Sequence, residues 1–325
     1  MMWSIQTSST VPLTSVKPLA GLLGYRSYCL EVTRAALHAS SRRRRERSPI
    51  TGAPLEVIGE VEGLTYARCP ESGSLFLAEL PETRQWASVL REVSRYRHSP
   101  RTFHSDLAPL RHEHVYAPKL EWIQDTLRLQ QLARPRLLEV VTPPSEFTAH
   151  LASSEMFAEV VTVDEMELVA ATEQDDRSEP VQIAILLESL DRVDDPAALL
   201  GAVRRHLAGG GLLCVTALVA SGFDMAVLGL RNLYVYPPDR TNCFTLRGLS
   251  MLLERTGFTL LELSTPGVLD VEIVKAHLQH NPQLALSTFE RQLLHADPQA
   301  QKEFQAFLQR RGFSSFARVV AKVNI

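Results

Sequence analysis

No apolar run in the chain approaches the roughly 20 residues that a membrane-spanning helix needs, so the sequence reads as that of a soluble protein. Its four cysteines, Cys29, Cys69, Cys214 and Cys243, are scattered without regular pairing, which speaks against a disulfide framework and fits a reducing compartment. A strong charge of either sign is also missing. The formal net charge of −3 argues against wholesale nucleic-acid binding and leaves room for a local basic patch only. What remains is ordinary for a globular protein, 45% hydrophobic and 22% charged residues over 325 positions. That is enough chain for one large α/β domain with appendages, or for two small domains.

A more telling absence is local. Leu137, Leu138, Val140 and Val141 read as a short buried strand, and Glu146–Leu151 as the start of a helix. A strand leading through a tight loop into a helix is the nucleotide-binding geometry, in which glycines let the backbone approach the ligand and the helix N-terminus offers free N–H groups. The loop here, Thr142-Pro-Pro-Ser145, contains no glycine. Pro143 and Pro144 have no backbone N–H and are held near φ of about −65°.

From this strand to the C-terminus the chain resembles the class I S-adenosylmethionine-dependent methyltransferases, whose first strand usually ends in an acidic residue followed by G-x-G-x-G. Glu139 keeps the acidic place, while the glycine places hold Val141, Pro143 and Ser145. Ala158–Val163 reads as a second strand ending at Asp164, where the resemblance implies a carboxylate on the cofactor's ribose. Val181–Leu187 is the most strand-like run. The following Glu188-Ser-Leu-Asp-Arg-Val-Asp-Asp-Pro196 matches the family's E-x-L-E-H-V-x-D-P at Glu188, Leu190, Val193, Asp195 and Pro196, with Asp191 for the second acid and Arg192 for the histidine. Asp195 and Thr245 are expected to cap helices. The stretch Leu252-Leu-Glu-Arg-Thr-Gly-Phe258 matches L-L-E-x-x-G-F.

A second part of the resemblance lies nearer the N-terminus. The turns Ser48-Pro-Ile-Thr-Gly52 and Cys69-Pro-Glu-Ser-Gly73 are spaced like the two knuckles of a zinc ribbon, a head that many such methyltransferases carry. Three of the four ligand places hold Ser48, Thr51 and Ser72, so no zinc is expected, and the hydroxyls are predicted to bond backbone N–H groups of the turns.

The resemblance, covering about residues 48–325, implies a Rossmann-like methyltransferase sheet, mostly parallel with one antiparallel strand, a small N-terminal ribbon-like β element and a helical insertion. The expected organisation is a disordered or targeting extension over 1–47, a degenerate ribbon-like head over 48–80, a helical cap or linker over 81–133 and a methyltransferase-like domain over 134–325, with the insertion at 266–312. The Arg42–Arg45 block reads as a solvated charge run. His98, His104, His112 and His114 read as lying on a solvated loop. The resemblance also makes His112, His114 and Tyr116 weak substrate-side candidates. Asn242 and Cys243 stand where some members have active-site polar residues, with a core or loop role the expectation here.

Cofactor contacts are expected from Glu139, Thr142, Ser145, Asp164 and Glu188, should S-adenosylmethionine bind. Three altered sites, the glycine loop, the thiolates and the cleft histidine, favour a non-catalytic scaffold or regulatory relative that binds a partner protein or another ligand. The alternative is an active methyltransferase acting on a small molecule or saccharide. A dinucleotide-dependent oxidoreductase would need the same missing glycines. The expected compartment is the cytoplasm, or the mitochondrion if residues 1–47 are a transit peptide, since they are hydroxyl-rich, Arg-rich and acid-poor.

Overall fold

The computed structural model describes residues 11–171 and 179–324. In chain order its elements are α1 (Leu13–Val16), α2 (Leu19–Ala39), β1 (Arg43–Arg44), β2 (Glu56–Val61), β3 (Leu64–Arg68), β4 (Leu75–Leu77), β5 (Glu79–Leu80) and α3 (Thr83–Arg97). Next come α4 (Phe103–Asp106), α5 (Ala108–Arg111), a π-helical turn His112–Tyr116, α6 (Ala117–Leu129), β6 (Arg136–Val140), α7 (Glu146–Ser153), β7 (Glu159–Val163) and α8 (Glu165–Ala170). The remainder is β8 (Val181–Leu187), α9 (Pro196–His206), β9 (Leu207–Leu218), α10 (Phe223–Leu228), β10 (Asn242–Cys243), α11 (Leu246–Arg255), β11 (Phe258–Ser264), α12 (Asp270–His280), α13 (Thr288–His295), α14 (Pro298–Arg311) and β12 (Phe316–Val323).

Six strands form the central sheet in the order β11-β12-β9-β8-β6-β7. β7, β6, β8 and β9 pair in parallel, and β12 pairs antiparallel with both β9 and β11. The expected α/β sheet, mostly parallel with one antiparallel strand slipped between the last two, is therefore the one observed. Local chemistry accounts for much of it. β8 is apolar on both faces and buried throughout its middle, as a central parallel strand must be. The Asp195 side chain accepts from the Ala198 N–H with Pro196 in the first turn, and the Thr245 hydroxyl accepts from the Gly248 N–H, so α9 and α11 start where their caps place them.

The ribbon-like head is a four-stranded antiparallel sheet, β10-β4-β3-β2. Its fourth strand, Asn242–Cys243, comes from the main domain, so the head is tied into the fold by pairing as well as by packing. In the two turns, the Ser48 hydroxyl accepts from the Ile50 and Thr51 N–H groups, and the Ser72 hydroxyl from the Ser74 N–H. The hydroxyls thus hold the turns as the sequence leads one to expect.

The N-terminal extension differs from expectation. Residues 1–10 lie outside the described residues, but residues 11–47 are folded, most of them in α1 and α2. α2 is a 21-residue helix that buries Leu22, Tyr25, Cys29, Leu30 and Leu37. The physical reason is a stripe of apolar residues at three- and four-residue spacing, which needs a partner to cover it and finds α3. The arginine block is exposed at Arg42, Arg43 and Arg44, as a solvated run would be, yet it is also tied down: Arg43 Nη2 lies 2.6 Å from Asp194 Oδ2, and half-buried Arg45 donates to the Asp194 carbonyl at 2.5 Å and to Asn242 Oδ1 at 2.9 Å.

The 98–116 segment also departs from the loop expectation, folding into α4, α5 and the π-helical turn. His104 is buried there, stacked on Phe103 at 4.0 Å and meeting the Tyr25 ring edge-on. Residues 266–312 contribute α12–α14 as an insertion before β12, packed around a small core of Val271, Val274, Leu294 and Leu308 that it shares with Leu228 of α10.

Candidate functional site

The carboxyl ends of parallel strands leave room for a ligand where the chain departs to either side of the sheet. In this fold a cavity of about 540 Å³ opens there, bordered by Glu139–Thr142 at the end of β6, Leu187 and Glu188 at the end of β8, and Leu218–Ala220 after β9. Val16, Lys17, Leu22 and Tyr25 from the N-terminal helices form part of its wall. The π-helical turn adds His114 and Tyr116, the segment before β10 adds Tyr234, Tyr236, Asp239 and Arg240, and the insertion adds Asp270 and Ile273.

The side of the cavity that carries the expected cofactor residues is engaged by the protein itself. Glu139, Thr142, Ser145 and Glu188 all border the cavity, so four of the five expected cofactor residues are brought together. Asp164 is not among the bordering residues. Its Oδ1 accepts from the Met166 and Glu167 N–H groups as the N-cap of α8, and its Oδ2 takes Arg91 Nε at 3.2 Å. The Thr142 hydroxyl donates to buried Glu165, while its carbonyl accepts from the Ser94 hydroxyl. Burial pushes the Glu139 carboxyl up, against hydrogen bonds from the Thr148, Thr162 and Ser145 hydroxyls that favour its ionised form. Pro143 and Pro144 leave the loop without two of its N–H donors.

On the opposite side the chemistry is ionic. Glu188 ends β8 with a φ of 62°, in the left-handed region that a residue with a side chain adopts only when its surroundings hold it there. Lys119 Nζ lies 3.4 Å from its Oε1 and Arg240 Nη2 3.3 Å from its Oε2. Burial raises the Glu188 pKa, but Lys119, Arg240, Lys17 and Arg192 together outweigh it and hold the carboxyl well below the usual range. Asp191, in the second acid place, is fully buried. It accepts from the Leu218 N–H at 3.0 Å and faces Arg240 Nη1 at 3.3 Å, yet burial dominates and pushes it up to about 7. Arg97 and Asp239 form a further ion pair at the wall.

Arg192, in the histidine place, also borders the cavity and donates to the backbone carbonyls of Glu188 and Leu187 at 3.2 and 3.4 Å. His112 instead faces His150 at 3.4 Å away from the cavity. Asn242 has a core role, donating to the Leu190 and Val193 carbonyls at 2.7 and 2.8 Å, and Cys243 is a buried thiol that burial pushes up to about 12. Sequence reasoning passed over Lys17, Lys119, Asp239 and Arg240. Arg240 lies 52 positions from Glu188 and Lys119 lies 69, so only the fold makes them neighbours.

A family model described as a methyltransferase domain matches residues 71–263, from the second ribbon turn to the last residues of β11. The chain belongs to the methyltransferase domain family. No curated protein matches it. Among solved structures, it is similar to the 1,6-didemethyltoxoflavin-N1-methyltransferase of Burkholderia thailandensis, solved with 1,6-didemethyltoxoflavin and S-adenosylhomocysteine. Identity there is 12% and the TM-score 0.44, over 83% of this chain and 100% of that one. A methyltransferase of Clostridium acetobutylicum that depends on S-adenosylmethionine is similar at 10% identity and a TM-score of 0.42, over 69% of this chain and 100% of that one.

Within this methyltransferase domain, no helix of the described residues is long and apolar enough to cross a membrane, and no group of His, Cys, Asp and Glu among them is arranged to hold a metal ion. Cys29, Cys69, Cys214 and Cys243 are all free and buried. Cys69 sits with Thr51 Oγ1 at 3.4 Å. Burial pushes its thiol up, but hydrogen bonds with the Ser48, Ser72 and Thr51 hydroxyls overcome that and draw it down to about 7.

Proposed function

We propose that this methyltransferase-fold chain is a non-catalytic, ligand-binding relative of the family, whose cleft has kept its place and lost the grip on S-adenosylmethionine. The observation that carries this reading is the state of Asp164. The carboxylate that the resemblance assigns to the cofactor's ribose hydroxyls has both oxygens engaged, one by the α8 N-terminus and one by Arg91. The Thr142 hydroxyl is taken by Glu165, and the loop offers neither glycine freedom nor the two proline N–H donors. These engagements, with Asp164 outside the border of the cavity, support a site that does not fit the cofactor in the pose that the resemblance implies. The ribbon head supports the same reading, since its ligand places hold hydroxyls around one thiol.

In this reading the domains are the head over 48–80, the helical cap over 81–133 and the methyltransferase-like domain over 134–325, with the N-terminal helices completing the cavity wall. Its partner is a small molecule, with a protein partner as a further role of a scaffold, and its compartment is the cytoplasm, where four free thiols are at home.

A second reading, methyl transfer to a small molecule or saccharide, is favoured by one observation: Glu139, Thr142, Ser145 and Glu188 still border a single cavity of about 540 Å³. Titration calorimetry with S-adenosylmethionine and S-adenosylhomocysteine separates the two. The first reading expects no binding at millimolar ligand. Micromolar binding by the unaltered chain would overturn it and turn the search to acceptors. In a Pro143→Gly/Pro144→Gly variant, binding is expected to stay absent, because Asp164 remains engaged by Arg91.

A further inference from the structure

Glu188 is outnumbered by the cations around it. Lys17, Lys119, Arg192 and Arg240 all border the cavity and all act on this one carboxylate. Arg240 has a second carboxylate in Asp191, while Lys119 has Glu188 alone among its ion pairs. Among the described residues Arg192 donates only to backbone carbonyls. Lys17 Nζ stands over the Tyr234 ring, 5.1 Å from its centroid, with no hydrogen-bond acceptor among the described residues. Two further buried donors here, the Tyr234 hydroxyl and Arg240 Nε, have no partner among the described residues.

The cavity's other acids are mostly engaged elsewhere. Glu139 accepts from the Thr162 hydroxyl, Glu113 lies beside His114, Glu146 accepts from the Tyr116 hydroxyl at 2.6 Å, and Asp239 pairs with Arg97 while also acting on Lys17 and Arg240. Asp224 and Asp270 are turned onto Ser314, Ser315, Asn232 and Gln305. Lys17 and Arg192 have no salt bridge among the described residues, and charges and buried donors left so are costly. Lys17 stands over the Tyr234 ring, and Lys17, Arg192 and Arg240 all act on Glu188, so one anionic group in this part of the cavity suits the three cations and the Tyr234 hydroxyl. The surrounding wall of Val16, Leu22, Phe103 and Tyr236 suits an apolar body attached to that group.

We propose that the cavity takes a small molecule carrying a carboxylate or phosphate on an apolar body of aromatic size, its anion seated between Lys17 and Arg192 and bonded by Tyr234 and Arg240. This names the ligand class for the ligand-binding reading above and rests on it. Recognition is electrostatic first, so it weakens as salt rises, and neutral isosteres of the same shape are rejected because they leave the cations unmatched.

The test uses the full chain and four probes of similar shape: benzoate, phenyl phosphate, neutral benzamide and cationic benzamidine. Titration calorimetry is expected to show binding of at least one anion, with benzamide weaker by about tenfold or more and benzamidine silent. The preferred anion identifies carboxylate or phosphate as the natural group. Lys17→Met and Arg192→Met are each expected to weaken the anion by about tenfold, and Tyr234→Phe, the mildest change, to weaken it by about threefold, with thermal unfolding checking each fold.

Benzamide binding as well as the anions, benzamidine binding best, or no anion binding at tens of millimolar would each overturn the proposal. Unchanged anion affinity in a folded Lys17→Met or Tyr234→Phe variant would do the same. A parallel titration with S-adenosylmethionine keeps the two readings apart. Selective anion binding alongside micromolar cofactor binding sustains this inference and removes the non-catalytic one, whereas silence from both anions and cofactor does the reverse.

Discussion

Lys17 shows how one side chain can cost the fold and serve the site. Burial lowers its pKa from 10.5 to about 8, with Glu188 pulling the other way and Arg240 and Arg111 adding to the depression. Below pH 8 the lysine is charged in both folded and unfolded chains, and the full penalty of holding that charge stands. Between about pH 8 and 10.5 the unfolded chain binds the proton and the folded chain does not, so this residue makes stability rise with pH across that window. Lys17→Met removes the penalty. At pH 7 the variant is expected to be more stable than the parent by about 1–3 kcal/mol, water in the cavity softening the upper figure. Chemical denaturation at pH 7 and again near pH 10.5 checks this, since the advantage should vanish at the higher pH. An equal advantage at both would show that the gain came from packing.

At the scale of elements, the ribbon turns separate a frame from its chemistry. The positions of Ser48, Thr51, Cys69 and Ser72 converge, with all three hydroxyls within hydrogen-bonding reach of the one sulfur. Zinc ribbons need four soft or nitrogen ligands in a tetrahedron, and neutral hydroxyls are poor substitutes. A Ser48→Cys/Thr51→Cys/Ser72→Cys variant is therefore expected to bind one zinc ion per chain and to unfold at higher temperature with zinc than with a chelator. The unaltered chain should show no such difference. Failure of the triple variant to take up zinc, measured by elemental analysis of the folded protein, would mean that the turns have drifted from ribbon geometry. These turns, the caps Asp195 and Thr245, and the strand Val181–Leu187 were legible in the sequence because each is set by residues a few positions apart. The hydroxyl-for-thiolate exchange was legible for the same reason.

What the sequence left hidden belongs to the whole molecule. The cluster around Glu188 draws Lys17, Lys119 and Arg240 from three distant segments to join nearby Arg192, and no local pattern announces such a meeting. α2 was hidden for a different reason. Leu22, Tyr25, Cys29, Leu30, Ala36 and Leu37 do carry a helical stripe, but serines and arginines to either side gave the region the composition of a tail. In the fold that helix is integral. The Tyr25 hydroxyl accepts from Arg97 Nε at 2.9 Å, its ring packs with Tyr96, His104 and Tyr236, and Leu22 and Tyr25 help wall the cavity. Its buried side chains contribute on the order of 5 kcal/mol or more. Deleting residues 1–39 is accordingly expected to lower the thermal midpoint by about 10 °C or more, and to open the cavity to apolar dyes that the full chain excludes. A targeting peptide or loose tail would behave otherwise, since its removal leaves the midpoint where it was. An unchanged midpoint would thus detach α2 from the fold and deprive the cavity of Lys17. A large drop would make the N-terminal helices part of the domain, extending it beyond the 71–263 stretch by which its family is known.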